Sequence, residues 1–237
     1  MTRLPVRKTY KLFVGGAFPR SESGRTYEME GQNVARGSRK DVRDAVVAAR
    51  KAIPGWAGAT AYNRGQVLYR LAEMMEHRAA DLAAACSGKK EVEAAIDRVV
   101  WYAGWADKLA QVIGSSNPVS GPYFNFSIPE PTGVVAIVAP SEPALGGLVS
   151  RIAPAIVGGN AVVALASDDE VQGGVAPLVA TALVDIAIAK PSRNRPVPPQ
   201  LPQRGGQVER KRRQLLRDDG GAQVTPGIQA VAMVTLL

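Results

Sequence analysis

The stretch Ala139–Gly147, APSEPALGG, follows the apolar run Gly133–Val138 and precedes the helix-like Leu148–Val157. It therefore sits at the carboxyl end of a strand, where open α/β sheets seat their ligands. Its one ionisable side chain is Glu142, which lies between two prolines with no His, Lys or metal-type cluster beside it in sequence. Two other residues have reactive chemistry in isolation. His77, the only histidine, lies among Glu76, Arg78 and Asp81 on the polar side of a helical pattern. No second metal ligand follows at helical spacing, so His77 is expected at the surface. Cys86, the only cysteine, closes LAAAC. That apolar context suits a packed thiol rather than a nucleophile, and no base accompanies it.

These residues are carried by elements that the apolar spacing predicts. Lys8–Glu28 has a hairpin-like signal around Gly15-Gly16, with Leu12, Val14 and Phe18 flanking, and predicts an N-terminal strand pair. Ser38 can cap a helix whose buried stripe is Val42, Val46, Ala49 and Ile53, and Pro54-Gly55 is expected to end it. A second, longer helix fits Asn63–Cys86 through Val67, Leu68, Leu71, Met75 and Leu82. A third runs from about Lys90 to Val112 through Val92, Ile96, Val99 and Ala103, thickened by Trp101, Tyr102 and Trp105. Tyr123, Phe124, Phe126 and Ile128 are extended-type residues bounded by proline breakers. They read either as an internal edge strand or as a ribbon that a partner surface covers. GVVAIVAP, SEPALGG, LVSRIAPAIVGG and NAVVALAS then give strand, turn, helix and strand, the pattern of a parallel βαβ unit buried on both faces. Neither GxGxxG nor a Walker lysine loop occurs there.

Composition sets the class. With 237 residues and 46% apolar content the chain can build a packed core. One cysteine rules out an internal disulfide framework, and no early charged-then-apolar run resembles a secretory signal, so a cytoplasmic setting is expected. No apolar run reaches the roughly 18 residues of a membrane span. The net charge of +8 is unevenly placed: residues 190–237 carry 9 basic against 3 acidic side chains, and residues 1–189 carry 20 against 18. The 190–237 segment is a basic Pro/Arg-rich tail expected to be disordered, with room for a short helix around Val208–Arg217. Its run ERKRRQLLR could meet phosphates but has no aromatic side chain for base stacking, which ranks nucleic-acid binding last.

Five blocks in order, KLFVGGAF, SRKDVRDAVVAARKAIPGWAG, AIDRVVWYAGWADKL, EPTGVVAIVAP and RIAPAIVGGNAVV, closely resemble the amino-terminal portion of the NAD(P)-dependent aldehyde dehydrogenase superfamily over about residues 10–168. The resemblance implies an α/β fold: a helical amino-terminal segment leading into an incomplete Rossmann-like parallel sheet, with a projecting β-ribbon. Residues 1–189 would form a partial cofactor-binding domain, with 113–131 as an oligomerisation ribbon. Pairing of two like chains, or of this chain with a full-length relative, would then run through Asn117–Pro129. The implied cofactor is NAD or NADP.

Carried over position by position, the family's Pro-Trp-Asn-Phe-Pro turn places Pro140 on the first proline, Ser141 on the tryptophan and Glu142 on the oxyanion-holding asparagine. Pro143 and Ala144 complete it. The backbone of Ala139, Pro140 and Ser141 would still line a cofactor groove. An ionised Glu142 cannot donate a hydrogen bond and would repel the charge that the asparagine stabilises. Leu165 stands at the family's lysine position and Asp168 at its acidic one. Asp168 can accept from ribose hydroxyls or be a solvated loop acid beside Asp169 and Glu170. In the family a thiolate attacks the aldehyde, hydride passes to the nicotinamide and water hydrolyses the thioester. The family's nucleophilic cysteine and general-base glutamate lie beyond the matched region, and Cys86 lies before the sheet. The resemblance thus implies a truncated, catalytically inactive chain, with a non-catalytic regulatory partner of a full-length relative as the alternative.

Overall fold

A computed structural model describes residues 4, 9–29, 32–140, 142–166 and 232–236, with the backbone alone at 29, 32 and 232–236. The chain divides into one compact unit of Met1–Ala189 with Ala230–Leu237, and a second of Lys190–Gln229. The second unit, and with it the expected helix at Val208–Arg217, lies outside the described residues.

The first unit opens with a small sheet in which β1 (Thr9–Tyr10) runs parallel to β3 (Gln32–Ala35) and β2 (Thr26–Met29) runs antiparallel to it. Gly15 and Gly16 both take positive φ, 59° and 80°, in a two-residue turn closed by Val14 and Ala17. Both central residues of such a turn must be left-handed, which only glycine does cheaply. The helices α1 (Arg39–Ala57), α2 (Ala61–His77), α3 (Ala79–Ala85), α4 (Lys89–Trp105) and α5 (Leu109–Ile113) follow. A two-stranded ribbon comes next, with β4 (Ser115–Asn117) antiparallel to β5 (Asn125–Ser127). The unit's main sheet joins β6 (Val134–Val138) and β7 (Ala161–Ala166), parallel strands linked through α6 (Ala144–Val157).

The main sheet is buried on both faces. Val162, Ala164 and Ile137 pack with Leu145, Leu148, Ile152 and Ile156 of α6, and that layer continues into Leu68, Leu71, Met75, Val92 and Val99 of α2 and α4. Ala161 and Val163 face Ala45 and Ala49 of α1 together with Leu12 and Ala35. Each fully buried large aliphatic side chain contributes about 1.5–3 kcal/mol, so this two-sided burial drives the fold. The predicted Ser38 cap is present as a capping box: Ser38 Oγ accepts from the Asp41 N–H (3.3 Å), and Asp41 Oδ2 accepts from the Ser38 N–H (2.7 Å). Asp41, only 6% exposed, also accepts from Ser21 Oγ (2.7 Å) and the Glu22 N–H (2.9 Å), which ties the N-terminal loop to α1.

Several boundaries differ from the expected ones. Helix α1 runs through Pro54 to Ala57. Proline inside a helix costs about 3 kcal/mol, and here the last turn is held by Trp56, 5% exposed, whose indole N–H donates to the Ile156 carbonyl (2.8 Å). The long second helix breaks at Arg78, so that α3 can bring Leu82 into the core. The third breaks after Trp105, and Ala106 is buried while Asp107 and Lys108 face solvent. Apolar periodicity continues across both bends and so does not mark them. The sheet is also mixed rather than parallel, because β8 (Ala232–Leu236) pairs antiparallel with β7, Val162 opposite Leu236 and Ala166 opposite Ala232. Disorder expected over all of 190–237 therefore does not extend to this strand.

Candidate functional site at the carboxyl end of β6

The turn between β6 and α6 is shaped by small residues and prolines. Ala139, 6% exposed, continues the sheet: its N–H donates to the Leu165 carbonyl of β7 (2.9 Å). Pro140 is half-buried and lies over the first turn of α6, where a Cβ on Gly147 would come within 2.5 Å of its ring. A Cβ on Gly146 would meet the Pro143 ring at 3.3 Å. The two glycines in ALGG are thus what allow the turn to fold back onto its own helix.

Both ends of α6 are fixed by side chains from other elements. At the start, Pro143 offers no capping side chain. Instead Glu91, in the first turn of α4, accepts at Oε1 from the backbone N–H groups of Leu145 (2.8 Å) and Gly146 (3.1 Å), and at Oε2 from Ser87 (2.9 Å). Burial alone would raise the Glu91 carboxyl, but the backbone hydrogen bonds from Gly146, Ser87 and Leu145 outweigh it and hold it below the usual carboxylate range. At the far end, Arg64 Nε donates to the Val157 carbonyl (3.1 Å) and Trp56 to that of Ile156, satisfying carbonyls that a helix terminus leaves open. Asn160 closes the corner, donating to Ala155 O (3.0 Å) and accepting from the Gly133 N–H (3.0 Å).

Of the residues singled out from sequence, Ala139, Pro140 and Glu142 come together at this turn. Glu142 is exposed, and Ser141 and Asp168 lie outside the described residues. Leu165 is half-buried beside Val138, its register partner. His77 is exposed, as expected. Cys86 ends α3 half-buried, and burial, with the Glu91 charge added, pushes its thiol above its ordinary pKa. Among the described residues no group of His, Cys, Asp and Glu could hold a metal ion, and no helix is long and apolar enough to cross a membrane. A cleft of about 350 Å³ between α2 and α4, lined by Tyr62, Tyr69 and Val100, does not adjoin the turn. Sequence reasoning missed Glu91 and Arg64, which look like ordinary surface charges in their own helices.

The residues at this turn fit a dinucleotide only in part. Backbone is available along Ala139 and Pro140, but the start of α6, where a strand-end site would receive phosphate, is already taken by the Glu91 carboxylate.

The profile of the aldehyde dehydrogenase family matches residues 26–189. An aldehyde dehydrogenase of Davidiella tassiana is 32% identical over 190 residues, covering 73% of this chain and 37% of the relative. Retinal dehydrogenase 2 of Mus musculus is 34% identical over 66% of this chain and 33% of its own length. Among solved structures, a point mutant of an aldehyde dehydrogenase from Bacillus cereus superposes with a TM-score of 0.66 at 25% identity, covering 77% of this chain and 40% of that one. The chain spans roughly a third of the length of these curated relatives. Family-profile match, relatives and shared fold lead to one conclusion: the chain belongs to the aldehyde dehydrogenase family.

Proposed function

We propose that the chain carries the cofactor-side framework of the aldehyde dehydrogenase fold and that the 237-residue polypeptide does not itself oxidise aldehydes. The family reaction is the NAD(P)-dependent oxidation of an aldehyde to a carboxylic acid, and it needs a reactive thiolate. The observation that carries the reading is the state of the only cysteine: Cys86 is half-buried at the end of α3, with its pKa raised by burial and by Glu91. Glu142 adds to it, since an exposed carboxylate at the turn cannot donate to an oxyanion. The test is to mix purified protein with NAD or NADP and a panel of aldehydes. Absence of reduced cofactor is the expected result; steady turnover that persists after Cys86→Ser overturns the thiol argument, and turnover lost in that variant overturns the whole reading.

The ribbon supports a second role, as a pairing partner of a like chain or a longer relative. Tyr123 and Phe124 are 75% and 77% exposed, and Phe124 stacks near Phe126 at 5.2 Å, an apolar surface that single chains seldom leave bare. Self-association that is lost in a Phe124→Asp, Phe126→Ser variant, read by sedimentation, supports it; a monomer at high concentration counts against it.

A further inference from the structure

The start of α6 is the one place at the carboxyl end of β6 where backbone N–H groups converge on a negative group, and the negative group is the protein's own. Three N–H donors from two separate segments, Ser87 before α4 and Leu145 with Gly146 in α6, meet one carboxylate at 2.8 to 3.1 Å. Pro143 supplies no competing cap, so Glu91 alone satisfies these helix-start donors. A helix of 14 residues carries about half a positive charge at its start, enough to hold an anion there.

We propose that Glu91 is an autoinhibitory occupant of this seat: it closes the start of α6 to phosphate, so that no phosphate of a dinucleotide can use the Leu145 and Gly146 N–H groups while the carboxylate is in place. The inference rests on the reading of the turn as the cofactor side of the fold. Two anions cannot share these donors, because the oxygen that would bridge Leu145 and Gly146 is already Glu91 Oε1, and a second negative charge within about 4 Å is repelled. The same contact pins the turn to α4, which makes the exclusion a property of how the helices pack rather than of the loop alone.

The experiment is an amide NMR titration of the full chain with inorganic phosphate, followed at Ser87, Leu145 and Gly146, for the wild type and for Glu91→Ala. The wild-type resonances are expected to stay unmoved. In the variant, Leu145 and Gly146 are expected to shift saturably with phosphate, and its thermal midpoint to rise with phosphate more than that of the wild type. Saturable movement of the two amides in the wild type overturns the proposal, as does a folded Glu91→Ala that responds no more than the wild type. Should the variant not fold, the wild-type titration decides alone. A parallel titration of the wild type with NAD separates the two readings: binding without movement at Leu145 and Gly146 sustains both. Binding that moves them sinks the closed seat and leaves the groove, whereas no binding sinks the groove and leaves the seat to the phosphate result.

Discussion

Two glutamates meet the start of α6 in opposite ways. Glu142 stands exposed in the turn, while Glu91 reaches across from α4 and accepts three backbone hydrogen bonds. A carboxylate whose folded pKa is depressed contributes stability that is present above its unfolded value and lost as pH falls through the folded one. Glu91 and Asp41 are both depressed, each by hydrogen bonds that outweigh the opposing effect of burial. Stability against urea is therefore expected to be level from neutral pH to the ordinary carboxylate range near about 4 and to fall below it. In Glu91→Gln with Asp41→Asn that acid slope should flatten; an unchanged slope would assign acid unfolding to other carboxylates. Cys86 gives an independent readout of the same contact, because the Glu91 charge helps to raise its thiol pKa. Glu91→Gln is expected to speed alkylation of Cys86 at neutral pH, measured by mass spectrometry, even though the half-burial of the thiol is unchanged.

At the scale of elements, α6 is the helix on which the site depends, and its positioning was the part least legible in sequence. The helices themselves announce their apolar stripes, and the βαβ order follows from continuous β-branched runs and the Gly158-Gly159 stop. What fixes α6 is not local: its partners lie 54, 93 and 100 residues away, at Glu91, Arg64 and Trp56. No spacing rule links such pairs, so Glu91 passed for a helix-surface acid and α6 was expected to begin four residues late, at Leu148. Glu142, by contrast, could be judged from residue type alone, because an ionised carboxylate lacks a donor wherever it is placed. Gly147 tests the fold-back of the turn. Gly147→Ala would set a Cβ 2.5 Å from the Pro140 ring, and relief requires the turn to move away from the helix. A loss of about 1–3 kcal/mol is expected from such overpacking, against a few tenths gained at a helical glycine with open space, such as Gly104. Denaturant midpoints of the two alanine variants compare them directly. Trp56→Phe removes one buried donor from Ile156 O and is expected to cost about 1–2 kcal/mol.

For the molecule as a whole, the family order of blocks foretold an incomplete parallel sheet, and two parallel strands are what β6 and β7 supply. The third strand could not be read from pattern, since AMVTL is short, carries no alternation and lies beyond a Pro/Arg-rich stretch with no apolar periodicity. It pairs with β7 over five residue pairs, so β7 is hydrogen-bonded on both sides and buried along nearly its whole length. A central strand stripped of a neighbour presents a row of backbone donors and acceptors to any other chain, and an apolar one such as AVVALA has no charge or proline to deter pairing. Ending the chain after residue 230 is therefore expected to lower the thermal midpoint and to produce concentration-dependent aggregates that bind amyloid dyes. Replacing Val234 by Pro, which removes a ladder donor without shortening the chain, should do the same to a lesser degree. If both variants stay as soluble and as stable as the parent, β8 contributes nothing to the sheet, and the edge of β7 must be protected by other parts of the chain.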